Sequence, residues 1–342
     1  MNKKIQVSTI VLCLSTVLLC LVSMGIGHYK VDMGNVLQEI WQYNQGMLPQ
    51  LSTGAGVILH IRLPRTVSAL LVGAALAVSG LTFQTIFKNR LASPDLLGVS
   101  TGSCVGAALC ILLGLGASWI QFGAFAMGIT TVALTWLISC LFKRERNFAL
   151  ILSGVLVGGV MTSVLGLIKY LANPETQLPT IIYWTMGDIS TITLEQIGMV
   201  ILPMLLAMVL LWLLSWQMNH FSVNEDVAQS SGANIRVLRL CCIVCATLLT
   251  ACAVSVAGTI SWVGLAVPQV VRLVAGKGRR IPVALTMVAG GAFILAADIV
   301  GRLVSKAEIP MSVLTGIPGI LIFILCVYFT NRKEESHATG NQ

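Results

Sequence analysis

Ionised side chains are scarce. Only 10% of the 342 residues are Asp, Glu, Lys or Arg, where a soluble globular chain carries about a quarter. That deficit excludes a soluble domain. The 4 histidines are scattered without ligand spacing, and no HExxH, GxSxG or paired-carboxylate motif occurs. Metallohydrolase, serine-hydrolase and glycosidase chemistry therefore have no residues to run on. GKGRR at 276–280 lacks the upstream glycine and the Ser/Thr of a phosphate-binding loop, so ATP binding by that route is excluded. No series of intramembrane carboxylates is present to relay protons. Strands of alternating polarity, the mark of an outer-membrane barrel, are missing too. The residues call for no catalytic group, metal ligand or cofactor.

What fills the chain is apolar surface: 56% hydrophobic residues and a mean hydropathy of +0.89. A spanning helix needs about 20 apolar residues. The runs predict spans near 5–27, 63–86, 95–116, 119–142, 148–170, 195–218, 237–257, 260–275, 283–304 and 312–330, an all-α polytopic membrane protein forming one domain over 1–342. MNKK and the run after it show no small-residue cleavage site, and Leu19 before Cys20 spoils a lipobox, so the first run reads as a retained span. Residues 28–60 read as a longer link with a short amphipathic helix from Met33 to Trp41, and 171–194 as a second link opening on an Asn173–Pro174 turn. Residues 331–342 read as a polar tail.

Lys and Arg set the orientation. With the N-terminus cytoplasmic, the inner segments hold most of them, including Lys88, Arg90, Lys143, Arg144, Arg146, Lys277, Arg279 and Arg280. Both termini are then cytoplasmic. The net charge of +8 follows from this bias and requires no nucleic-acid partner. Cys242 and Cys245 read as small residues on one face of a membrane helix, the ordinary place for buried thiols.

Few residues carry polar chemistry inside the spans, and each is a functional candidate by its cost. Asp298 and Arg302 are spaced to pair at i, i+4, either as a structural ion pair or as part of a docking surface. Pro268 falls inside an apolar run and should kink or shorten the eighth span. Pro310 and Pro318 bracket the start of the last.

Seven stretches, taken in order, resemble one family. They are RLPRTVSALLVGAALAVSG (62–80), KNRLASPDLLGVSTG (88–102), YWTMGDIS (183–190), NEDVAQSSGANIRVLRL (224–240), ISWVGLAVPQVVRLVAG (260–276), LAADIVGRL (295–303) and IPMSVLTGIPGILIFIL (309–325). The chain is similar to the FecCD-type permeases, the membrane subunits of type II ABC importers for iron-siderophore, haem and cobalamin. The resemblance implies a ten-helix subunit of the bacterial cytoplasmic membrane that pairs with a copy or paralogue of itself. It further implies a path at that interface lined by the fifth and tenth spans, two cytosolic ATP-binding subunits, an extracytoplasmic substrate-binding protein, and a metal chelate, ferric siderophore by default, as cargo. ATP hydrolysis would belong to the partner, so the chain itself is no enzyme.

The resemblance also implies residue roles. Arg62, Arg65 and Arg302 match arginines that meet acidic residues of the binding protein, and charge-assisted Arg–carboxylate pairs suit such docking. Interfacial snorkelling is the alternative. Asn89, Arg90 and Leu91, with Arg146, Asn147 and Phe148, match a cytoplasmic gate. Residues 219–235, with Glu225, Ala228 and Gly232, match the loop that couples to the ATPase, its short helix capped by Asn224. Apart from the resemblance, the residues of the turn after the second span themselves predict that Ser93 or Asp95 caps the next helix, with Pro94 in its first turn. Pro268, Gln269 and Pro318 mark helix breaks near the path. Two departures stand out: the family's usual proline in the turn is Arg90 here, and its usual histidine after VP is Gln269. An ion-coupled secondary transporter is the rival class. It calls for buried mid-membrane carboxylates and an inverted repeat, neither of which is visible.

Overall fold

Long apolar runs leave the backbone one solution in a bilayer, the helix, because nothing else satisfies every N–H and C=O internally. The computed structural model describes residues 3–27, 29, 31–45, 51–142, 146–221, 235–275 and 282–339, and these are helical with short connections. In chain order the helices are α1 (Lys3–Gly25), α2 (Met33–Asn44), α3 (Thr53–Val57), α4 (Leu63–Ile86), α5 (Val99–Leu112), α6 (Ala117–Ser139), α7 (Arg146–Leu171), α8 (Gln177–Met186), α9 (Leu194–Phe221), α10 (Ile235–Ala257), α11 (Val263–Ala275), α12 (Val283–Val304) and α13 (Met311–Thr339).

Eight helical segments among the described residues are long and apolar enough to cross a membrane. The third and eighth expected spans are shorter than predicted. Gly98, at φ 77°, ends a 3₁₀ turn over Pro94–Leu97, so α5 starts only at Val99. α11 has 13 residues because Gly258 (φ 65°) and Trp262 (φ 68°) keep the approach out of the helix. At 1.5 Å per residue such helices reach about 20 Å, short of the roughly 30 Å hydrocarbon core.

Two further expectations change, and the tail gains a conformation. The second span begins at Thr53, since α3 and α4 join through a π turn over Ile58–Arg62 into one rod of 34 residues. Pro64 explains the π turn: it lacks an N–H and its ring crowds the carbonyl four residues back. The second link holds a helix, α8, led in by Asn173 Oδ1, which accepts from the N–H groups of Glu175 (2.9 Å) and Thr176 (3.2 Å). The tail is helical to Thr339, its Lys, Glu and Ala residues continuing α13. The expected amphipathic helix is present as α2, capped by Asp32, which accepts from the Gly34 N–H.

α4 is the mast of the bundle, packed against α9, α10, α11 and α12. Two glycine crossings let it approach so closely. A Cβ at Gly73 would lie 2.2 Å from the Gly290 carbonyl oxygen, and one at Gly80 would lie 2.0 Å from that of Gly264. Backbone contact of this kind is how helices associate where lipid removes the hydrophobic drive. α5, α6 and α7 form a second group against α10, while α1 lies at the periphery against α12, with Val7, Leu14, Leu18 and Leu21 exposed.

Candidate functional site

A cluster of charge sits where the π turn of the α3–α4 rod passes into α4. Just before Pro64 the π turn sets Arg62 and Arg65 into the interior, 4% and 7% exposed. Arg65 donates from Nε to Asp298 Oδ1 at 2.7 Å and, fork to fork, to both oxygens of Glu308 at 2.9 and 2.8 Å. Arg302 donates to Asp298 Oδ2 at 2.6 Å, so the predicted i, i+4 pair forms and is one edge of a larger cluster. Asp298 is fully buried, whereas the Glu308 side chain is 44% exposed.

Further donors of this corner, the terminal nitrogens of Arg302 and Arg62, turn to the end of α1. Arg302 reaches the carbonyls of Ser23 (2.9 Å) and Ile26 (3.0 Å) and the Ser23 hydroxyl (2.6 Å). Arg62 reaches those of Met24 (2.6 Å), Gly25 (3.1 Å) and Tyr29 (2.5 Å). The last carbonyls of a helix have no partner within it and carry its negative pole. Two guanidinium groups from other helices fill that need. The three arginines matched to docking are thus together, buried and engaged within the chain; Glu308 is the exposed edge of their network.

Beside this corner, the YWTMGDIS stretch knits three elements. The Asp188 N–H donates to Ala257 O at 2.9 Å, the Met311 N–H to Gly187 O at 2.9 Å, and the Thr259 hydroxyl to Thr185 O. The Tyr183 hydroxyl donates to the Glu308 carbonyl at 3.3 Å. Partial burial, then the Asp188 and Glu308 carboxylates, raise its pKa and keep it a donor. A half-open cavity of about 560 Å³ lies behind α8, with Gln121, Trp184 and Asp188 in its wall. Trp262, whose positive φ is uncommon for a bulky residue, sets its ring beside Phe323 and Gly319 of α13.

At the far end of α4 the chain turns through the predicted gate residues. Lys88 has φ 51°, and the side chains of Asn89, Arg90 and Leu91 are exposed. Asn89 Oδ1 accepts from the Leu91 N–H at 2.9 Å and the Asn89 carbonyl from the Ala92 N–H at 3.1 Å. Neither Ser93 nor Asp95 caps α5. Ser93 makes no side-chain cap bond and Asp95 accepts from the Ser100 hydroxyl instead, because the 3₁₀ turn intervenes. Phe148 is half-exposed on α7. Arg146 and Asn147 open that helix, but their side chains lie outside the described residues, as do Glu225, Ala228 and Gly232.

Pro268 is buried within α11. A proline there deprives the carbonyl four residues back of its donor, and that carbonyl is Gly264. Gln84 of α4 supplies the replacement: its Nε2 donates to Gly264 O at 3.1 Å, while its Oε1 accepts from Arg272. Pro318 lies inside α13. Gln84, Arg272, Glu308 and Ser23 escaped the sequence reading. An amide inside LTFQTIF, opposite a proline-broken helix, was the one available signal.

The match to known proteins runs the length of this architecture. The model of the FecCD transport family matches residues 15–329. The molybdate import system permease protein MolB of Haemophilus influenzae is 35% identical over 321 residues, 94% of this chain and 95% of that protein. The Helicobacter pylori protein named "Probable iron chelatin transport system permease protein" is 33% identical over 283 residues, 82% of this chain and 85% of its own. Among solved structures, a metal-chelate type ABC transporter in an inward-facing conformation superposes with a TM-score of 0.83 at 34% identity, covering 94% of this chain and 98% of that one. The protein is therefore a multi-pass membrane permease belonging to the FecCD transport family.

Proposed function

We propose that this permease passes a metal chelate, a ferric siderophore by preference, inward across a bacterial cytoplasmic membrane, driven by ATP hydrolysed on two copies of a partner subunit. The observation that carries the reading is the α3–α4 rod of 34 residues, about 50 Å of continuous helix. The charge cluster is rooted where the π turn passes into α4, about a third of the way along, and the far end delivers the 88–92 turn. In the orientation set by Lys and Arg, the cluster faces the side from which a binding protein delivers cargo and the turn faces the ATPase. The likeness to a metal-chelate type transporter supports the cargo class.

Under this reading a second permease copy or paralogue completes the path against α7 and α13, whose outward side chains include Val155, Leu156, Val160, Ile317, Leu321 and Ile324. Docking centres on Arg65: a carboxylate of the binding protein would take its fork by displacing Glu308, while Arg62 and Arg302 keep α1 in place. Asn89, Arg90, Leu91 and Phe148 form the inner gate, and 219–235, with Glu225, Ala228 and Gly232, couples to the ATPase.

The test is uptake into proteoliposomes holding this chain with its ATPase and binding protein. Ferric siderophore uptake that needs ATP and is lost in Gly232→Trp together with ATPase co-purification is the expected result. ATP-independent uptake driven by an ion gradient would refute the importer reading. A second cargo reading, molybdate, is favoured by the likeness to MolB, and uptake of molybdate but not of the ferric chelate would establish it.

A further inference from the structure

The two departures singled out above, Arg90 and Gln269, touch each other. Gln269 Nε2 donates to the backbone carbonyl of Arg90 at 3.0 Å. Gln269 is 7% exposed, on the helix that Pro268 breaks, and Arg90 is the middle residue of the exposed turn. The next rung is Gln84, tied to Gly264 and to Arg272 on the same face of α11. Beneath it the Gly80–Gly264 crossing brings the two backbones together. Positions 264, 268 and 272 are successive turns of one helix, so the break and the bridge lie along one seam, and Gln269 neighbours Arg272 at i, i+3.

We propose that Gln269 is a positioning residue that latches the 88–92 turn to α11, so that the turn follows this broken helix rather than moving freely. The N–H groups of Lys88 and Asn89 fasten the start of the turn to the Thr85 and Gln84 carbonyls at 3.3 and 3.2 Å, and Ala92 buries its end. Between them the bonds from Leu91 and Ala92 to Asn89 close within the loop, and exposed loop segments of this kind open more readily than packed helices. An arginine at 90 lacks the fixed φ that proline gives a turn. A hydrogen bond from outside the loop restores that restraint. The amide suits the task because it offers a donor that does not titrate. Arg272, engaged with Gln84, keeps a cation beside the seam, where a carboxylate at 269 would turn away from the carbonyl and toward it.

The proposal rests on the reading of this turn as a gate, and one experiment separates the two. Hydrogen–deuterium exchange of the full-length chain in detergent is followed peptide by peptide, with ferric-chelate uptake measured on the same variants. In Gln269→Met, which keeps the shape and removes the donor, exchange across 88–92 is expected to rise about two- to tenfold, with α5 and α12 unchanged. Gln269→His, which restores a donor, is expected to return it toward wild type. Unchanged exchange at 88–92 in a folded Gln269→Met, or a rise spread evenly over the whole chain, would overturn the latch. A rise confined to 88–92 with uptake unaltered would keep the latch and remove the gate.

Discussion

Asp298→Ala is the sharpest perturbation of the arginine–carboxylate cluster. The carboxylate is fully buried and shared by Arg65 at 2.7 Å and Arg302 at 2.6 Å, whose side chains are 9% and 7% exposed. Its removal leaves Arg302 with only neutral oxygens and Arg65 with Glu308. Breaking a buried pair from one side costs about 3–5 kcal/mol, because the orphaned charge stays desolvated. For a chain of this length that corresponds to a fall of roughly 6–10 °C in Tm, at about 2 °C per kcal/mol. Glu308→Gln is the internal comparison. Its side chain is 44% exposed, water screens the pair, and the cost should be about 1 kcal/mol or less. The chain carries its own reporters: Cys104, Cys242 and Cys252 are 4%, 1% and 0% exposed and become reactive on unfolding. A thiol-activated fluorophore in a thermal ramp therefore reads both variants. Equal shifts for the two, or a shift under about 2 °C for Asp298→Ala, would show that burial does not set the worth of this carboxylate.

Other expected outcomes follow from single contacts. Gly80→Leu forces a side chain into the Gly264 carbonyl and should abolish recovery of monodisperse protein on size-exclusion chromatography. Gly187→Ala meets both a positive φ of 79° and the Thr259 carbonyl 2.4 Å from the added Cβ. It should lower the thermal midpoint by several degrees in the same ramp, through strain of about 1–3 kcal/mol plus the collision. Gln84→Leu orphans the Gly264 carbonyl freed by Pro268 and costs about 1–3 kcal/mol, read as a lower midpoint, with Gln84→Glu recovering the Arg272 contact but not the carbonyl. Arg65→Ala should weaken capture of the binding protein at low salt while leaving co-purification of the ATPase intact; equal capture would remove Arg65 from docking.

Local and periodic features were legible in the residues. Apolar run length places the eight spanning segments, the amphipathic Met33–Trp41 stretch announces α2, and the Asp298–Arg302 spacing announces its pair. Long-range partners were not. Arg65 and Asp298 lie 233 positions apart, and no period carries that information. The docking role assigned to the arginines came from likeness alone, and likeness does not tell whether a guanidinium faces a partner or caps a helix of its own chain. α8 was missed because ten residues with an internal proline fall below the length at which an apolar run declares itself. Pro268 announced a carbonyl in want of a donor, but only the crossing at Gly80 reveals that Gln84 is the side chain within reach.

The arginine clamp on α1 has a consequence for biogenesis. The first helix leaves the ribosome alone, yet one of its two clamps, Arg302, follows Ser23 by 279 residues. At bacterial elongation rates of about 5–20 residues per second, that is a wait of roughly 15–60 s. For most of it Arg62 and Arg65 have been made while Asp298 has not. The cluster closes only when the ninth span arrives, joining the oldest part of the nascent chain to nearly the youngest. A polypeptide truncated before Asp298 therefore holds Arg65 without its buried counter-ion, a defect that a quality-control protease reading exposed intramembrane charge would find at once.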